Sequence, residues 1–328
     1  MKKNSHLFNL SKILLSYICK REVLGFMPTR LWIEVSSKCN LKCGSCLNRS
    51  LPICQKTNMG LGLYKKIIDQ AAGNIYDATL CHRGEPLLHR DIVKMVSYAS
   101  IRGVKTKIHT NATLLDERLS RELIMAGLYN ISFSFDSFDK EKYEKKRKGA
   151  EFNNTLNNIK TFLKVKKKLK RRKPFTILQL MEKRGNNDFP QPRDIKKFLK
   201  TFKDYPPDRI ILRRPHNWGG LLKGPKDLAD SRIKRSTCTF PWYSLTVLAN
   251  GKAVPCPQDF MGIMPIGDLN KDSLKDTFNG QPLRAIRKMF ASSRIKKKLP
   301  CQDCDRIIRK TIMGIPLEYA VAFFRENS

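Results

Sequence analysis

The stretch Leu31-Trp-Ile-Glu-Val-Ser-Ser-Lys-Cys-Asn-Leu-Lys-Cys-Gly-Ser-Cys46 joins a short apolar run to three closely spaced cysteines. Residues 31–35 are typical of a buried strand, so Cys39, Cys43 and Cys46 fall in the loop that follows it. Sulfur ligands favour zinc or iron–sulfur over hard cations, and a zinc ribbon would show C-x2-C pairs. Three thiolates on a four-iron cluster leave one iron open. The motif therefore predicts an open iron–sulfur site, with structural zinc or unrelated thiols as alternatives.

Strand-like and helix-like segments alternate from residue 31 to about residue 213. The predicted strands are 31–35, 76–80, 104–109, 130–135, 175–180 and 208–213. The predicted helices are 61–72, 90–101, 115–126, 152–170 and 192–203. This alternation predicts an α/β fold with parallel strands, and six units fit a partial (β/α)6 barrel. Sites on such sheets are expected at the carboxyl ends of the strands.

Changes in composition divide the chain into four parts. The parts are an N-terminal amphipathic helix in 1–30, the barrel in 31–215, a small β-hairpin and helix domain in 236–310, and a C-terminal helix in 311–328, with its helical pattern at 317–325. The N-terminal part has apolar residues at helical spacing from Leu7 to Ile18, with lysines nearby. Such a helix can lie on a membrane surface or pack against the barrel.

Polar motifs follow the later strands, where a ligand is expected to bind. They are Arg83-Gly-Glu-Pro86, His109-Thr-Asn111, Ser132-Phe-Ser-Phe-Asp136 and Lys146-Arg-Lys-Gly149. With the cysteine triplet, they resemble the radical S-adenosylmethionine (SAM) enzymes. In that family a [4Fe–4S] cluster chelates SAM through its open iron, and reductive cleavage of SAM gives a 5′-deoxyadenosyl radical that abstracts hydrogen from a substrate.

The resemblance implies a set of SAM-contacting residues in this chain. They are Gly84 and Glu85 at the SAM amino group, Asn111 at the ribose or substrate, Ser134, and Arg147 at the SAM carboxylate. Three positions depart from the family's pattern. Ser45 stands where an aromatic or bulky residue is common, and Arg83 and Ala112 stand where the family has glycine.

Four more cysteines lie beyond the barrel, namely Cys238, Cys256, Cys301 and Cys304. The signal Ala249-Asn-Gly251 predicts a hairpin between 243–248 and 252–254, which brings Cys238 and Cys256 together at its base. The C-x2-C pair at 301–304 completes four thiolates, enough for structural zinc or a fully ligated [4Fe–4S] cluster. The spacing resembles the SPASM and twitch extensions of radical SAM enzymes. That resemblance implies one auxiliary [4Fe–4S] cluster of the twitch type, either redox-active or structural.

An electron-accepting auxiliary cluster would suit dehydrogenation, which also needs a base near the substrate. Asp259 follows Cys256 by three residues, and His216 lies just after the last predicted strand. Both are candidate bases, and both can equally be parts of loop structure.

The chain of 328 residues is strongly basic, with 64 Lys and Arg against 29 Asp and Glu and a net charge of +35. Such a field attracts nucleic acid, anionic lipid or phosphorylated metabolites, whereas an evenly spread excess is typical of a solvated surface. The basic runs lack interleaved aromatics, which disfavours nucleic acid. Without a cleavage site or an apolar run of about 18 residues, the sequence predicts a cytoplasmic protein, optionally at the inner membrane surface.

These features predict a radical SAM oxidoreductase that dehydrogenates a sugar, polyol or lipid-linked metabolite. A flavodoxin- or ferredoxin-type protein would supply electrons. Three alternatives stay open: a maturase of ribosomal peptides, an RNA-modifying radical SAM enzyme, and a zinc-binding adaptor without activity. Many peptide maturases carry an N-terminal peptide-binding domain, whereas 30 residues precede the first predicted strand here. A colourless protein would indicate the zinc adaptor.

Overall fold

Parallel strands and the helices between them form the framework of the molecule. The computed structural model describes residues 3–181, 192–213, 216–222, 236–292, 299–307, 311–312 and 315–316. The strands are β1 (Arg30–Ile33), β2 (Asp77–Thr79), β3 (Lys105–Thr110), β4 (Asn130–Ser134), β5 (Phe175–Met181), β6 (Arg209–Arg213), β7 (Ser244–Val247), β8 (Lys252–Val254), β9 (Gly267–Asp268), β10 (Thr311–Ile312) and β11 (Ile315–Pro316). The α-helices are α1 (Lys3–Ile18), α2 (Leu61–Ala71), α3 (Ile92–Ile101), α4 (Glu117–Met125), α5 (Lys140–Lys146), α6 (Phe152–Lys168), α7 (Pro192–Leu199), α8 (Phe240–Tyr243), α9 (Leu274–Asn279) and α10 (Gln281–Ala291).

The first six strands lie side by side in chain order, and every neighbouring pair is parallel. Helices connect successive strands, as parallel pairing requires. The strands differ in burial: β2 is buried throughout, β1 and β3 alternate between partly buried and buried residues, and β6 is partly exposed. The predicted partial (β/α)6 barrel is confirmed, and the six predicted strands differ from the observed ones by one or two residues at their ends.

The C-terminal hairpin continues the barrel sheet. Strand β7 pairs in parallel with β1, with Arg30 opposite Ser244 and Ile33 opposite Val247. Strands β8 and β9 then add antiparallel neighbours, so the whole sheet has nine strands. The predicted hairpin is confirmed, and Gly251 takes the positive φ of 89° that its turn requires. The small C-terminal domain is therefore joined to the barrel through the strand that leads into the cysteine triplet.

Helix α1 is anchored to the C-terminal part of the chain by aromatic contacts. The ring of Tyr17 meets the ring of Trp242 edge-on, with 5.5 Å between centroids. The Tyr17 hydroxyl donates to the carbonyl of Thr237 at 2.8 Å, and the Trp242 indole donates to the carbonyl of Arg21 at 3.0 Å. The other face of helix α1 leaves apolar side chains exposed, among them Leu14 and Leu15. None of the described helices is long and apolar enough to cross a bilayer.

Arg287 of α10 is fully buried and donates to three backbone carbonyls. Its guanidinium donates to Glu22 at 2.8 Å, Pro241 at 2.9 Å and Phe278 at 2.7 Å. Burial lowers the pKa of Arg287 to about 10, so the group stays charged at neutral pH. The side chain thereby ties the N-terminal segment to two elements of the C-terminal domain.

The expectation of a helix throughout residues 311–328 is wrong at its start. Residues Thr311–Ile312 and Ile315–Pro316 form the antiparallel pair β10 and β11. The β-branched residues at 311, 312 and 315 favour a strand, and Pro316 lacks the N–H that a helix needs. The predicted helix at 317–325 lies outside the described residues.

Candidate active site

The cysteine triplet lies in a loop that neighbouring segments hold by their backbones. After β1, Lys42 N donates to Lys148 O at 2.9 Å, and Gly44 N donates to Lys146 O at 3.1 Å. On its other side, Lys38 O accepts from Glu85 N at 2.8 Å. Two of the predicted motif segments therefore hold the loop, which explains why motifs more than a hundred residues apart belong to one site.

The three thiols of this loop face a common space. Burial raises the pKa of Cys39, Cys43 and Cys46, and the charge of a neighbouring thiolate in the triplet raises each of them further. The positive charge of Arg147 acts in the opposite direction on all three. Backbone N–H groups reach two of the sulfurs, at 3.5 Å for Cys39 and 3.4 Å for Cys46. A bound cation would stabilise the thiolates that burial disfavours.

Gly84 fits where no side chain could. A Cβ atom on this residue would lie 2.4 Å from the carbonyl oxygen of Lys38 and 2.5 Å from that of Ser36. The sequence predicted a glycine that allows close approach to a ligand. In the structure, the close neighbour is the backbone of the cysteine loop itself.

Glu85 joins the second motif to the third strand. Its carboxylate accepts hydrogen bonds from Leu87 N at 3.1 Å, the Thr110 hydroxyl at 2.7 Å and Asn111 N at 2.7 Å. Burial raises the pKa of Glu85, although these donors and Arg147 oppose that effect. The carboxylate predicted to face the SAM amino group is thus held in place by three donors of the protein.

Asn111 connects the end of β3 to the cysteine loop. Its Nδ2 donates to Asn40 Oδ1 at 2.9 Å, and its Oδ1 accepts from Thr113 N at 3.0 Å. The next residue, Ala112, has a φ of +62°, in the left-handed region that favours glycine. The backbone therefore keeps the conformation of the family's glycine although the residue has changed.

Arg147 lies beside the cysteine loop and is engaged by Asp136. Two parallel hydrogen bonds, of 3.0 and 3.1 Å, join its guanidinium to the Asp136 carboxylate. Burial lowers the pKa of Arg147, but Asp136 and Cys43 outweigh burial and raise it overall. Ser134 ends the neighbouring strand β4 and is half-buried. Of these two predicted SAM-contacting residues, Arg147 is the one whose charge acts on the triplet.

A buried ion pair between Glu34 and Arg83 is a central feature that the sequence analysis missed. Arg83 Nε donates to Glu34 Oε1 at 2.6 Å and its Nη2 donates to Oε2 at 2.7 Å. Ala249 N, in the C-terminal hairpin, donates to the same carboxylate at 2.9 Å. Burial raises the pKa of Glu34, but Arg83 and His82 lower it more. The signal was a charged residue inside the apolar run 31–35.

Asn48 and His82 were also missed. Asn48 Nδ2 bridges the carbonyls of Ser37 and Arg83, both at 2.8 Å, and so closes the cysteine loop onto the second motif. His82 Nε2 donates to the carbonyl of Pro257 at 2.9 Å, directly after Cys256. Neither residue belongs to a recognisable motif, so only the fold could reveal them.

The second cysteine set also converges. Burial raises the pKa of Cys256, and the charges of Cys238, Cys301 and Cys304 raise it further. Burial and then Cys238 raise the pKa of Cys304 to about 12. Asn217 positions this region, because its Nδ2 donates to Asp303 O at 2.5 Å and its Oδ1 accepts from Asp305 N at 3.1 Å. Four thiols from three separate stretches of chain therefore lie close enough for their charges to act on one another.

The donor sets of both sites suit iron–sulfur clusters. Three thiols leave a position for an outside ligand, and four thiols complete a [4Fe–4S] cluster. Within the described ranges, no three His, Cys, Asp or Glu side chains lie close enough to share a single metal ion. A four-iron cluster spreads its ligands more widely, because each thiolate binds a different iron, so that spacing is compatible with a cluster at either set.

Two family models match the chain. Residues 33–178 match the radical SAM superfamily, and residues 238–305 match the SPASM iron–sulfur cluster-binding domain. The chain is a radical SAM protein with a C-terminal SPASM domain. These two domains imply [4Fe–4S] clusters and SAM as its cofactors.

Relatives of this radical SAM protein differ in chemistry. It is 37% identical over 113 residues to the GTP 3′,8-cyclase of Chlorobaculum tepidum. The aligned stretch covers 34% of this chain and 34% of the cyclase. It spans about half or less of the length of the curated relatives it matches. Two solved structures share the fold at 18% identity. BtrN in complex with AdoMet and 2-DOIA has a TM-score of 0.57, with 86% of this chain and 94% of BtrN covered. Streptococcus suis SuiB bound to precursor peptide SuiA has a TM-score of 0.63, with 96% of this chain and 80% of SuiB covered.

The two candidate bases of the radical SAM protein lie near the second cysteine set and are both engaged. Asp259 accepts from the backbone N–H groups of Ile263 and Met264 at 3.0 and 2.9 Å. Burial raises the pKa of Asp259. His216 Nε2 accepts from Arg306 at 2.5 Å, and its Nδ1 lies 3.8 Å from the Asp305 carboxylate. Burial lowers the pKa of His216.

A cavity of about 220 Å³ lies beside the second cysteine set. Residues 218–221 form one wall, 258–261 and Ile263 a second, and Leu299, Pro300 and Asp303 a third. The ring of Trp218 packs edge-on against Phe260 with 5.0 Å between ring centroids. The ring centroids of Phe260 and His82 are 5.8 Å apart. A row of aromatic rings therefore runs from this cavity to His82, next to the second motif (residues 83–86) of the radical SAM domain.

Proposed function

We propose that this radical SAM enzyme dehydrogenates a small oxidisable carbon skeleton, such as a sugar, a polyol or a lipid-linked metabolite. The observation that carries the proposal is the second set of four converging thiols. Complete thiolate ligation leaves no open iron for substrate, and of the two remaining roles, structural and redox, we assign electron transfer to this centre. The relatives include a cyclase and a protein bound to a precursor peptide, so they do not decide the class of reaction, which rests on this set.

In the proposed assignment, Cys39, Cys43 and Cys46 hold the SAM-binding cluster. Cys238, Cys256, Cys301 and Cys304 hold one auxiliary cluster. When bound, the two clusters and SAM supply a 5′-deoxyadenosyl radical and an electron acceptor. The protein's part is to position SAM, for which we assign Gly84, Glu85, Asn111, Ser134 and Arg147. Arg147 is charged and forked, which suits the SAM carboxylate, and it would exchange or share its bond to Asp136.

Neutral polar groups inside the barrel are suited to bind substrate hydroxyls. Gln179 Nε2 lies 2.5 Å from Ser132 Oγ and 3.0 Å from His109 Nδ1. Burial, with Arg213 and Lys107, lowers the pKa of His109 to about 3, so its ring is neutral at physiological pH. His109 on β3 lies opposite Ser132 on β4, and Gln179 on β5 contacts both side chains, so the three form one wall. Uncharged donors and acceptors in a partly apolar site favour a polyol or sugar.

Overall, dehydrogenation removes one hydrogen atom, one proton and one electron from the substrate, so the chain must accept a proton. Asp259 is the better-placed base of the two candidates, because burial raises its pKa toward the working range. His216 can accept a proton at Nε2 only if Arg306 releases that atom. The electron donor is proposed to be a flavodoxin- or ferredoxin-type protein, drawn to the basic surface.

A lipid-linked substrate would place the enzyme at a membrane surface. Leu14, Leu15 and Ile18 are 42–57% exposed on α1, and the chain is strongly basic. Because Tyr17 anchors the helix to the protein, this apolar edge can be altered without removing the helix. Leu15→Ser is expected to reduce sedimentation with anionic vesicles, while unchanged binding would count against a lipid-linked substrate.

Release of 5′-deoxyadenosine by anaerobically reconstituted protein tests the function. We expect release with SAM and a reductant when a soluble metabolite fraction or a lipid fraction is added. Cys43→Ala should abolish release and lower the iron content by about four atoms per chain. Cys301→Ala should also lose about four irons but retain 5′-deoxyadenosine formation while losing net substrate oxidation.

The matched control is Cys54→Ala, because Cys54 is exposed and stands outside both sets. It should keep the wild-type iron content and turnover. Full oxidation by Cys301→Ala would contradict the electron-accepting role. Stimulation by peptides or RNA alone would contradict the substrate class, and silence of the fully iron-loaded protein in every fraction would contradict the function itself.

A further inference from the structure

Two arginines from different parts of the chain approach each other near the end of β6, where Arg306 donates to His216, three residues after Arg213. Arg213 is the last residue of β6, opposite Met181 in the parallel pair. It follows Ile211, the register partner of Gln179, by two residues, so it shares the inward face of the sheet. Arg306 comes from the C-terminal domain, two residues after Cys304. Burial and then the charge of Arg306 lower the pKa of Arg213.

The buried polar groups around these arginines include a donor and an acceptor without partners. Among the described residues, Arg306 donates to His216 Nε2 at 2.5 Å, while its own Nε and the Oδ1 of Asp305 have no hydrogen-bond partner. The Asp305 carboxylate lies 3.8 Å from His216 Nδ1. Its Oδ2 accepts from Asn217 N at 2.9 Å. Among the described residues, no carboxylate forms an ion pair with Arg213. A buried donor without a partner and a half-buried cation without a counter-ion are both unfavourable.

We propose that Arg213 and Arg306 bind a phosphoryl group of the substrate between the barrel and the C-terminal domain. This inference rests on the proposed function, because it names the chemical class of the molecule oxidised there. A phosphoryl group offers three oxygens around one centre and can accept from two guanidiniums that approach from opposite walls. A carboxylate has two oxygens in one plane, which a single guanidinium fork already satisfies. The reacting carbon would then lie deeper, along the neutral wall of His109, Ser132 and Gln179.

Binding of pyrophosphate to the full reconstituted chain tests the inference without turnover. Calorimetric titration at constant ionic strength compares pyrophosphate with malonate. We expect pyrophosphate to bind more tightly than malonate, and Arg213→Gln and Arg306→Gln each to weaken it by about tenfold or more. Arg209→Gln is the matched control, since Arg209 is exposed at the start of the same strand and carries the same charge. It should bind pyrophosphate as the wild type does.

Arg213→Lys keeps the charge without the fork and provides a second variant should Arg213→Gln not fold. It is expected to bind pyrophosphate with intermediate affinity. Equal pyrophosphate affinity in the wild type and both glutamine variants would overturn the inference, as would a preference for malonate. Because SAM and substrate are absent from the titration, this failure is separate from a failure to form 5′-deoxyadenosine.

Vesicles distinguish a soluble phosphate ester from a phosphorylated lipid as the source of the group. Phosphatidylcholine vesicles with and without phosphatidic acid are sedimented with wild-type protein and Arg213→Gln. Loss of phosphatidic-acid binding in the variant supports a lipid source. Unchanged vesicle binding together with lost pyrophosphate binding supports a soluble substrate.

Discussion

Replacing Arg83 with glycine would restore the Gly-Gly-Glu-Pro form of the second motif, and we expect it to destabilise this protein. The change removes two charge-assisted hydrogen bonds, of 2.6 and 2.7 Å, from the fully buried Glu34 carboxylate. At about 1.5–3 kcal/mol each, the loss agrees with the roughly 3–5 kcal/mol expected when one partner of a buried pair is removed. The backbone donors Arg83 N and Ala249 N remain and limit the damage.

The pH dependence of the loss has a definite sign. In the wild type, Glu34 has a pKa below its ordinary value of 4.5, so its contribution is present above that value and lost as pH falls. Without Arg83, burial raises the pKa of Glu34, and the penalty for its charge appears as pH rises above 4.5. The difference in unfolding free energy between the two proteins should therefore shrink as pH is lowered from about 7 toward about 5.

Guanidinium denaturation followed by circular dichroism, under anaerobic conditions, measures the difference. Adding Glu34→Gln to the glycine variant should recover part of the stability, because the unpaired buried charge is gone. Arg118→Ala breaks an exposed pair with Glu122 and should cost about 0.3–0.5 kcal/mol, which sets the scale for a surface effect. A cost of less than about 1 kcal/mol for Arg83→Gly, with no recovery in the double variant, would refute the reasoning.

Three further substitutions test the scaffold around the site. Gly84→Ala should lower the iron content of the protein, because its Cβ would lie 2.4 Å from Lys38 O. The control Gly62→Ala on helix α2 has open space around its Cβ and should raise the free energy of unfolding by about 0.5–1 kcal/mol. Equal iron content in the two variants would contradict this prediction. Arg287→Met should lower the free energy of unfolding by at least about 3 kcal/mol, because three carbonyls lose their hydrogen-bond donor. The control Arg284→Met changes an exposed residue and should have little effect. Equal denaturation midpoints for the two variants would refute the anchoring role of Arg287. Asn48→Ala should cost about 1–3 kcal/mol and speed iron loss to a chelator, since it removes two 2.8 Å bonds that close the cysteine loop; an unchanged chelation rate would show that the loop is held without them.

The barrel and both cysteine sets were predictable because their signals are local or periodic. A strand of four to seven residues and a cysteine spacing are each contained in a few neighbouring letters. The pairing of β7 with β1 was not, because parallel strands far apart in sequence carry no mark of their partner. The same holds for Asn48, whose two acceptors belong to different segments.

The departures from the family's motifs carried information that the sequence alone did not explain. Arg83 appeared as a lost glycine, yet it is compensated by Glu34, 49 residues earlier on the neighbouring strand. Ala112 appeared as a second lost glycine, and it keeps a left-handed φ of 62° without one. A substitution at a motif position can thus be half of a pair, and the other half is visible only once strands β1 and β2 are adjacent.

The Glu34 carboxylate also links the two candidate cluster sites mechanically. It stands at the end of β1, five residues before Cys39, and accepts from Ala249 N in the hairpin that leads to Cys256. His82, next to Arg83, donates to the carbonyl of Pro257, so a second bond crosses between the same two regions. The contact of Glu34 is buried and that of His82 is partly buried, so a shift of the second motif would act on the backbone beside both cysteine sets. The second motif therefore links the two sites through direct hydrogen bonds.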